Sequence, residues 1–209
     1  EDHGGVLPAK DMSTTFDLLR ARDLVFRYVP SRWLMGETSP AFDVLVWNGD
    51  SVRMPATMHT EYLESLYGQN RLARGEYELG GQQLDLKKVK LDMYVVGAIN
   101  DHIVPWTSSF AVTGLTGGKV RYVLSNGGHI AGVVNPPGPK PWFEALPAGT
   151  DDSKGSAESW RESATRHAGT WWEDWTAWGE KRAGKLVAPP KMGSRKHRPV
   201  ADAPGDYVR

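Results

Sequence analysis

Two apolar, β-branched runs, Leu91–Ile99 and Val120–Leu124, constrain the fold of this chain more than any other feature. Each reads as a buried strand. Each is followed at once by polar, ionisable residues. The first run leads into Asn100-Asp101-His102-Ile103-Val104-Pro105-Trp106. The second leads into Ser125–Pro137, whose Asn126-Gly127-Gly128-His129-Ile130 core places a histidine just past the strand. A carboxylate and an imidazole are thereby set at the carboxyl ends of two successive strands. A helix starting near Pro105 lies between them, which gives the β/α alternation of a mostly parallel sheet.

Acid and then histidine, each at a strand end, is the order in which an α/β-hydrolase fold presents the last two members of its triad, after a nucleophile. The histidine needs the carboxylate to fix its tautomer and to stabilise its charged form. Histidine is also the side chain that ordinarily moves a proton near neutral pH. No nucleophile elbow precedes Asp101, and the chain contains no cysteine. Gly114-Leu115-Thr116-Gly117-Gly118 imitates an elbow, but it ends a helix, precedes a strand and follows the acid. It reads as a helix cap and turn. Asp101, His102 and His129 have no standard spacing for zinc ligands, and adjacent strand-end residues point apart. His102 reads as a loop or supporting residue.

These segments resemble the C-terminal part of the polyhydroxyalkanoate synthases, cysteine-dependent polymerases of storage polyester, most closely the class I type. The resemblance rests on Asp101–Trp106 and on Gly128–Pro137. Thr14–Arg20, Pro40–Asp50, Gly169–Trp178 and the closing Pro204–Val208 add to it. It runs from about Met12 to Val208. It implies an α/β-hydrolase fold and a Cys/Asp/His triad with Asp101 and His129 as catalytic residues. The cysteine is expected upstream of residue 1, in a portion of a longer protein. It further implies polymerisation of (R)-3-hydroxyacyl-CoA with release of CoA, a homodimer, and a cytoplasmic enzyme at the granule surface. No metal or bound cofactor is implied, since CoA is part of the substrate. A non-catalytic partner of a synthase or granule, and an esterase or depolymerase of the same fold, are the competing readings.

Asp101 has two possible roles. It orients and charge-stabilises His129, or it helps deprotonate the incoming 3-hydroxyl. The second is slightly favoured, because a cysteine paired with histidine needs less help than a serine.

Composition sets outer limits. The 25 basic and 25 acidic side chains balance, so nothing marks a nucleic-acid or anionic-membrane surface. The absence of cysteine excludes disulfides and thiolate metal sites. No apolar run approaches a membrane span.

Residues 1–36 are expected to be the end of a cap region and its return helices, and 37–184 the second half of the hydrolase core. Residues 185–209 are expected to be a basic tail. Within these, Glu1–Pro8 reads as frayed, Ser13–Met35 as two short helices broken near Pro30, and Asp43–Trp47 as a strand ended by the turn Asn48-Gly49-Asp50. Ala56–Leu72 reads as a helix with Pro55 at its start, and Tyr77–Leu86 as a hairpin turning on Gly80-Gly81. The prolines from Pro136 to Pro141 rule out regular structure. Ser156–Arg182 reads as helical with a break at Gly169, and Trp171, Trp175 and Trp178 fall on one face as core. Trp47 and Asp50 read first as turn residues, with a substrate-side or dimer contact as the other option. The tail from Lys185 has six basic and two acidic side chains and four prolines, and is expected to be extended.

Overall fold

The computed structural model describes residues 4–19, 26, 29–38 and 51–202. The expected strand Asp43–Trp47, its turn with Asp50 and the closing Pro204–Val208 lie outside the described residues. The chain divides into two compact units. One comprises residues up to Lys90 together with Leu115–Gly117, and the other Leu91–Gly114 and the chain from Gly118.

In the first unit, β1 (Val6–Leu7) pairs antiparallel with β2 (Met54–Pro55), so the start of the chain is tied down beyond its first residues rather than frayed. Helix α1 (Ala9–Leu19) follows, and Val29–Leu34 forms a wider π-type turn. Pro30 lies inside that turn, not at a break, and its carbonyl accepts from the Met35 N–H. The helix predicted over 56–72 runs as α2 (Ala56–Tyr62) and loosens into a π-type segment, Leu63–Gly68, with Pro55 as its N-cap. The hairpin turns where expected: β3 (Glu78–Leu79) and β4 (Gln82–Gln83) flank Gly80 and Gly81, both at positive φ as a two-residue hairpin turn requires.

The second unit is a four-stranded sheet with helices on both faces. Its order is β5 (Met93–Ala98), β6 (Val120–Ser125), β7 (Trp142–Ala145), β8 (Thr165–Ala168). β5 and β6 are parallel over six residue pairs. β7 and β8 return antiparallel. The described sheet is therefore mixed, where a mostly parallel one was expected. The difference lies in two four-residue strands. β7 follows the proline run, and β8 interrupts the stretch read as one helix. That stretch is in fact α5 (Ala157–Ser163), β8 and α6 (Trp171–Ala183), with Gly169 turning the chain between strand and helix at φ 97°.

All six residues of β6 are buried, so alternate side chains build two cores. On one face Tyr122 and Leu124 pack with Phe110 of α3 (Trp106–Phe110) and Trp160 of α5. The Tyr122 and Trp160 rings meet edge to face at 5.0 Å. On the other face Val123, Phe143 and Ala145 meet Tyr94, Val96 and Trp171. Arg121 is also buried on this face and makes a bidentate ion pair with Asp174 of α6, with Nη2 2.7 Å from the carboxylate. Tyr94 donates to the same carboxylate at 2.8 Å. Helix α6 is thus docked by polar contacts as much as by its tryptophans. Trp171 and Trp178 are half-buried, but Trp175 is 50% exposed, so the expected aromatic core stripe is only partly covered.

Asp152 is fully buried. One carboxylate oxygen accepts the Tyr122 backbone N–H at 2.8 Å and the other accepts the Trp160 indole N–H at 2.7 Å. Burial pushes this carboxyl up, and the two donors pull it back only in part. Truncating it leaves two buried donors unpaired. Asp152→Ala is expected to lower stability by about 3 kcal/mol, measured by urea unfolding under tryptophan fluorescence. A change within ~0.5 kcal/mol would contradict this account.

Candidate active site

Asp101 and His129 lie where the sequence predicted, just beyond the carboxyl ends of β5 and β6. Because these strands are adjacent and parallel, their ends share one edge of the sheet. Backbone bonds extend the register past the ladder: Ile99 N–H donates to Ser125 O at 3.0 Å, and Asn100 N–H to Gly127 O at 2.9 Å. The two loops therefore leave the sheet side by side. His129 Nδ1 lies 2.9 Å and 3.0 Å from the two carboxylate oxygens of Asp101.

The Asp101 carboxylate is held from behind. Its Oδ1 accepts the backbone N–H groups of Ile103 and Val104, each at 2.9 Å. This turn follows from an Asp with two non-proline residues two and three positions on. The Asp101 side chain is 8% exposed and that of His129 41% exposed, so the acid is shielded while the imidazole reaches solvent. Burial pushes the Asp101 carboxyl up. The N–H of Val104, the His129 ring and the N–H of Ile103 together outweigh it, and the net shift is below the ordinary range.

The histidine loop is braced at its base. Ser125 Oγ donates to Gly132 O, linking the end of β6 to helix α4 (Ala131–Val134). Asn126 Oδ1 accepts from Trp142 N–H at 3.0 Å and from Asn135 Nδ2 at 3.1 Å. Gly127 sits at φ 106°, and a Cβ there would lie 2.8 Å from the backbone nitrogen of Gly132. A Cβ on Gly132 would collide with that of Ala98. Gly127 and Gly132 are thus close-approach residues that let α4 fold back against β5.

His102 does not join the pair by hydrogen bond; its ring stands edge-on to that of His129 with centroids 6.2 Å apart. Among the described residues, no group of three or more His, Cys, Asp or Glu side chains is placed to hold a metal ion. The Gly114–Gly118 segment ends the short 3₁₀ turn Ala111–Gly114 and precedes β6, the position of a turn. Sequence reasoning did not single out Ser125, Asn126 or Asn135. The one signal for them is the Asn135-Pro136 step: Asn135 takes the left-handed C-cap of α4 at φ 37°, a conformation that asparagine tolerates.

Comparisons with known proteins bear on the family rather than on this geometry. No protein-family model matches the chain. Over 207 residues it is 41% identical to "Poly(3-hydroxyalkanoate) polymerase 1" of Ectopseudomonas oleovorans, which covers 98% of this chain and 36% of that protein. It is 42% identical over 205 residues to the "Poly(3-hydroxyalkanoate) polymerase" of Methylorubrum extorquens, covering 98% of this chain and 34% of the relative. The "Poly(3-hydroxyalkanoate) polymerase subunit PhaC" of Cupriavidus necator is 40% identical over 210 residues, with the same coverage of 98% and 34%. The chain spans about a third of the length of these relatives.

The lowered carboxyl of Asp101 fixes a pH dependence. An acid whose folded pKa is depressed stabilises the fold fully above its unfolded value, ~3.9, and loses that contribution as pH falls through the lower folded value. A carbon-13 titration of Asp101 is expected to have its midpoint below ~3.9, and His129→Ala is expected to raise it. A midpoint at or above the ordinary value would contradict the geometry.

Proposed function

We propose that this chain, which belongs in sequence with the poly(3-hydroxyalkanoate) polymerases and matches a C-terminal portion of such a synthase, supplies the acid and base of a Cys/Asp/His triad. The reaction is the polymerisation of (R)-3-hydroxyacyl-CoA into polyester with release of CoA. The observation that carries it is the 2.9 Å contact of His129 Nδ1 with Asp101 at the shared carboxyl edge of β5 and β6. With Nδ1 engaged, Nε2 is the nitrogen left for a nucleophile. Ligand sites of open α/β sheets lie at this same edge, which supports an α/β-hydrolase core for residues 37–184. Residues 1–36 would return from a cap and 185–209 form a basic tail. No residue from Lys185 to Asp202 is in a helix or strand.

The chemistry follows from that nitrogen. His129 Nε2 takes the thiol proton of a cysteine, and the thiolate attacks the thioester carbonyl. The tetrahedral intermediate collapses, the CoA sulfur leaves, and His129 returns the proton to it. The 3-hydroxyl of the next unit then gives its proton to His129 and attacks the acyl-enzyme. The new ester forms and the cysteine sulfur is released and reprotonated. The nucleophile is not among the 209 residues, which include no cysteine. It is proposed to lie in the part of the polymerase that this chain does not span. A homodimer and a place at the granule surface accompany this reading through the family resemblance.

The geometry supports orientation of His129 as the role of Asp101. Both carboxylate oxygens are within 3.0 Å of Nδ1. A carboxylate with lowered basicity is a poor acceptor for an alcohol proton.

The chain alone is expected to release no CoA from 3-hydroxybutyryl-CoA. Joined to a cysteine-bearing segment of one of its relatives, it is expected to show a burst of CoA release in rapid quench. His129→Ala should abolish the burst, and Asp101→Asn should reduce burst and chain growth together by ~10²-fold or more, since a wrong tautomer cripples both proton transfers. Steady CoA release by the chain alone, lost in His129→Ala, would overturn the need for an outside cysteine. A full burst in Asp101→Asn with chain growth lost would assign Asp101 to the hydroxyl instead.

A further inference from the structure

Helix α4 starts two residues after His129 and has only four residues, too few to stand alone. Its last carbonyls have no helical donor and need partners from elsewhere. Each of the last three has one. Gly132 O accepts from Ser125 Oγ. Val133 O accepts the indole N–H of Trp171 at 3.1 Å, and Val134 O accepts the indole N–H of Trp172 at 2.9 Å. Two consecutive tryptophans of one helix thus cap the C-terminus of another. Trp172 is 40% exposed, so its placement is not explained by burial alone.

The capping helix is itself fixed to the sheet beneath the site. Thr170, 2% exposed, caps α6 by accepting the Trp172 backbone N–H. Asp174, the fourth residue of α6, is clamped by Arg121 of β6 and Tyr94 of β5. A continuous set of bonds therefore runs from β5 and β6, through Asp174 and the two indoles, to the helix that carries the backbone on from His129. The Gly128 and Ile130 carbonyls on either side of His129 accept the N–H groups of Gly132 and Val134, at 2.8 Å and 2.9 Å. The seating of α4 therefore sets where the imidazole stands.

We propose that Trp171 and Trp172 are positioning residues for His129: their indole N–H groups hold α4, and through it the imidazole, against Asp101. This rests on the proposed role of His129 in acyl transfer. An angular or sub-ångström drift of the ring is costly because the Nε2 lone pair must meet a nucleophile while Nδ1 keeps its carboxylate.

The test removes the donors and keeps the rings. Trp172→Phe and the double variant Trp171→Phe/Trp172→Phe are compared with Trp160→Phe, which loses a buried indole bond to Asp152 remote from the histidine loop. The first readout is the Nδ1–H proton resonance of His129 in the chain itself, by nitrogen-15 NMR. The second is kcat and KM for acyl-CoA in the chain joined to a cysteine-bearing segment. In the Trp172 variants the resonance is expected to broaden or exchange with solvent, and kcat to fall roughly ten-fold with KM unchanged. Trp160→Phe is expected to lose stability and leave the resonance in place. An unchanged resonance and kcat in Trp172→Phe, whose exposed ring tolerates the change, would overturn the proposal. The same result in Trp160→Phe as in the Trp172 variants would also overturn it, since the effect would then be general loosening. A resonance that responds while even the unsubstituted chain joined to the cysteine-bearing segment shows no activity would support the positioning and count against the acyl-transfer reading.

Discussion

The parallel pairing of β5 with β6 is the constraint on which the site depends. Parallel neighbours end at the same edge, so residues a few positions past each strand are brought together without any long loop. Asp101 lies three residues beyond Ala98 and His129 four beyond Ser125, and both reach the same point above the sheet. An antiparallel pair would have placed them at opposite ends of strands six residues long, roughly 20 Å apart. The crossover helix α3 between them makes the parallel arrangement possible, and it packs Phe110 on Tyr122 at 5.0 Å. The same ring contacts that stabilise the sheet therefore fix the chain between Asp101 and His129.

Polar groups inside this unit do as much to define its arrangement as the apolar ones. Arg121, Asp174, Asp152 and Glu144 are buried or nearly so, and each is matched. Arg121 holds Asp174, Glu144 is bridged by Arg161 and Arg166, and Asp152 receives two N–H donors. Buried ion pairs add little net stability, because desolvation offsets the attraction, but a mispaired one is costly. Their effect here is selective. Arg121 in the central strand admits α6 in the register that brings Asp174 opposite it, and that register sets Trp171 and Trp172 over α4.

Much of the site was legible in the sequence because its signals are local. Asp101 and His129 each follow a run of β-branched residues, and the pattern of acid then base at strand ends reads without any long-range information. The hairpin at Gly80-Gly81 was legible for the same reason. What was missed depends on distant partners. β7 and β8 are four residues each and carry Glu144, Arg166 and His167 on positions that a propensity argument assigns elsewhere; they are strands because they pair with β6 and with each other. Arg121 sits in a run otherwise read as apolar, since nothing local announces Asp174, 53 residues on. Trp171, Trp175 and Trp178 have helical spacing, which suggested core, yet Trp171 and its neighbour Trp172, which lies off that stripe, donate their indole N–H groups to another helix.

The central claim is that His129, held by Asp101, is the base for a thiol. The rate of alkylation of that thiol against pH, in the chain joined to a cysteine-bearing segment of a relative, tests it most directly. An ordinary cysteine titrates near ~8.5, and a histidine-paired one titrates well below that. The account predicts an alkylation profile displaced to low pH that returns to the ordinary range in His129→Ala. A profile that His129→Ala leaves unmoved would contradict it.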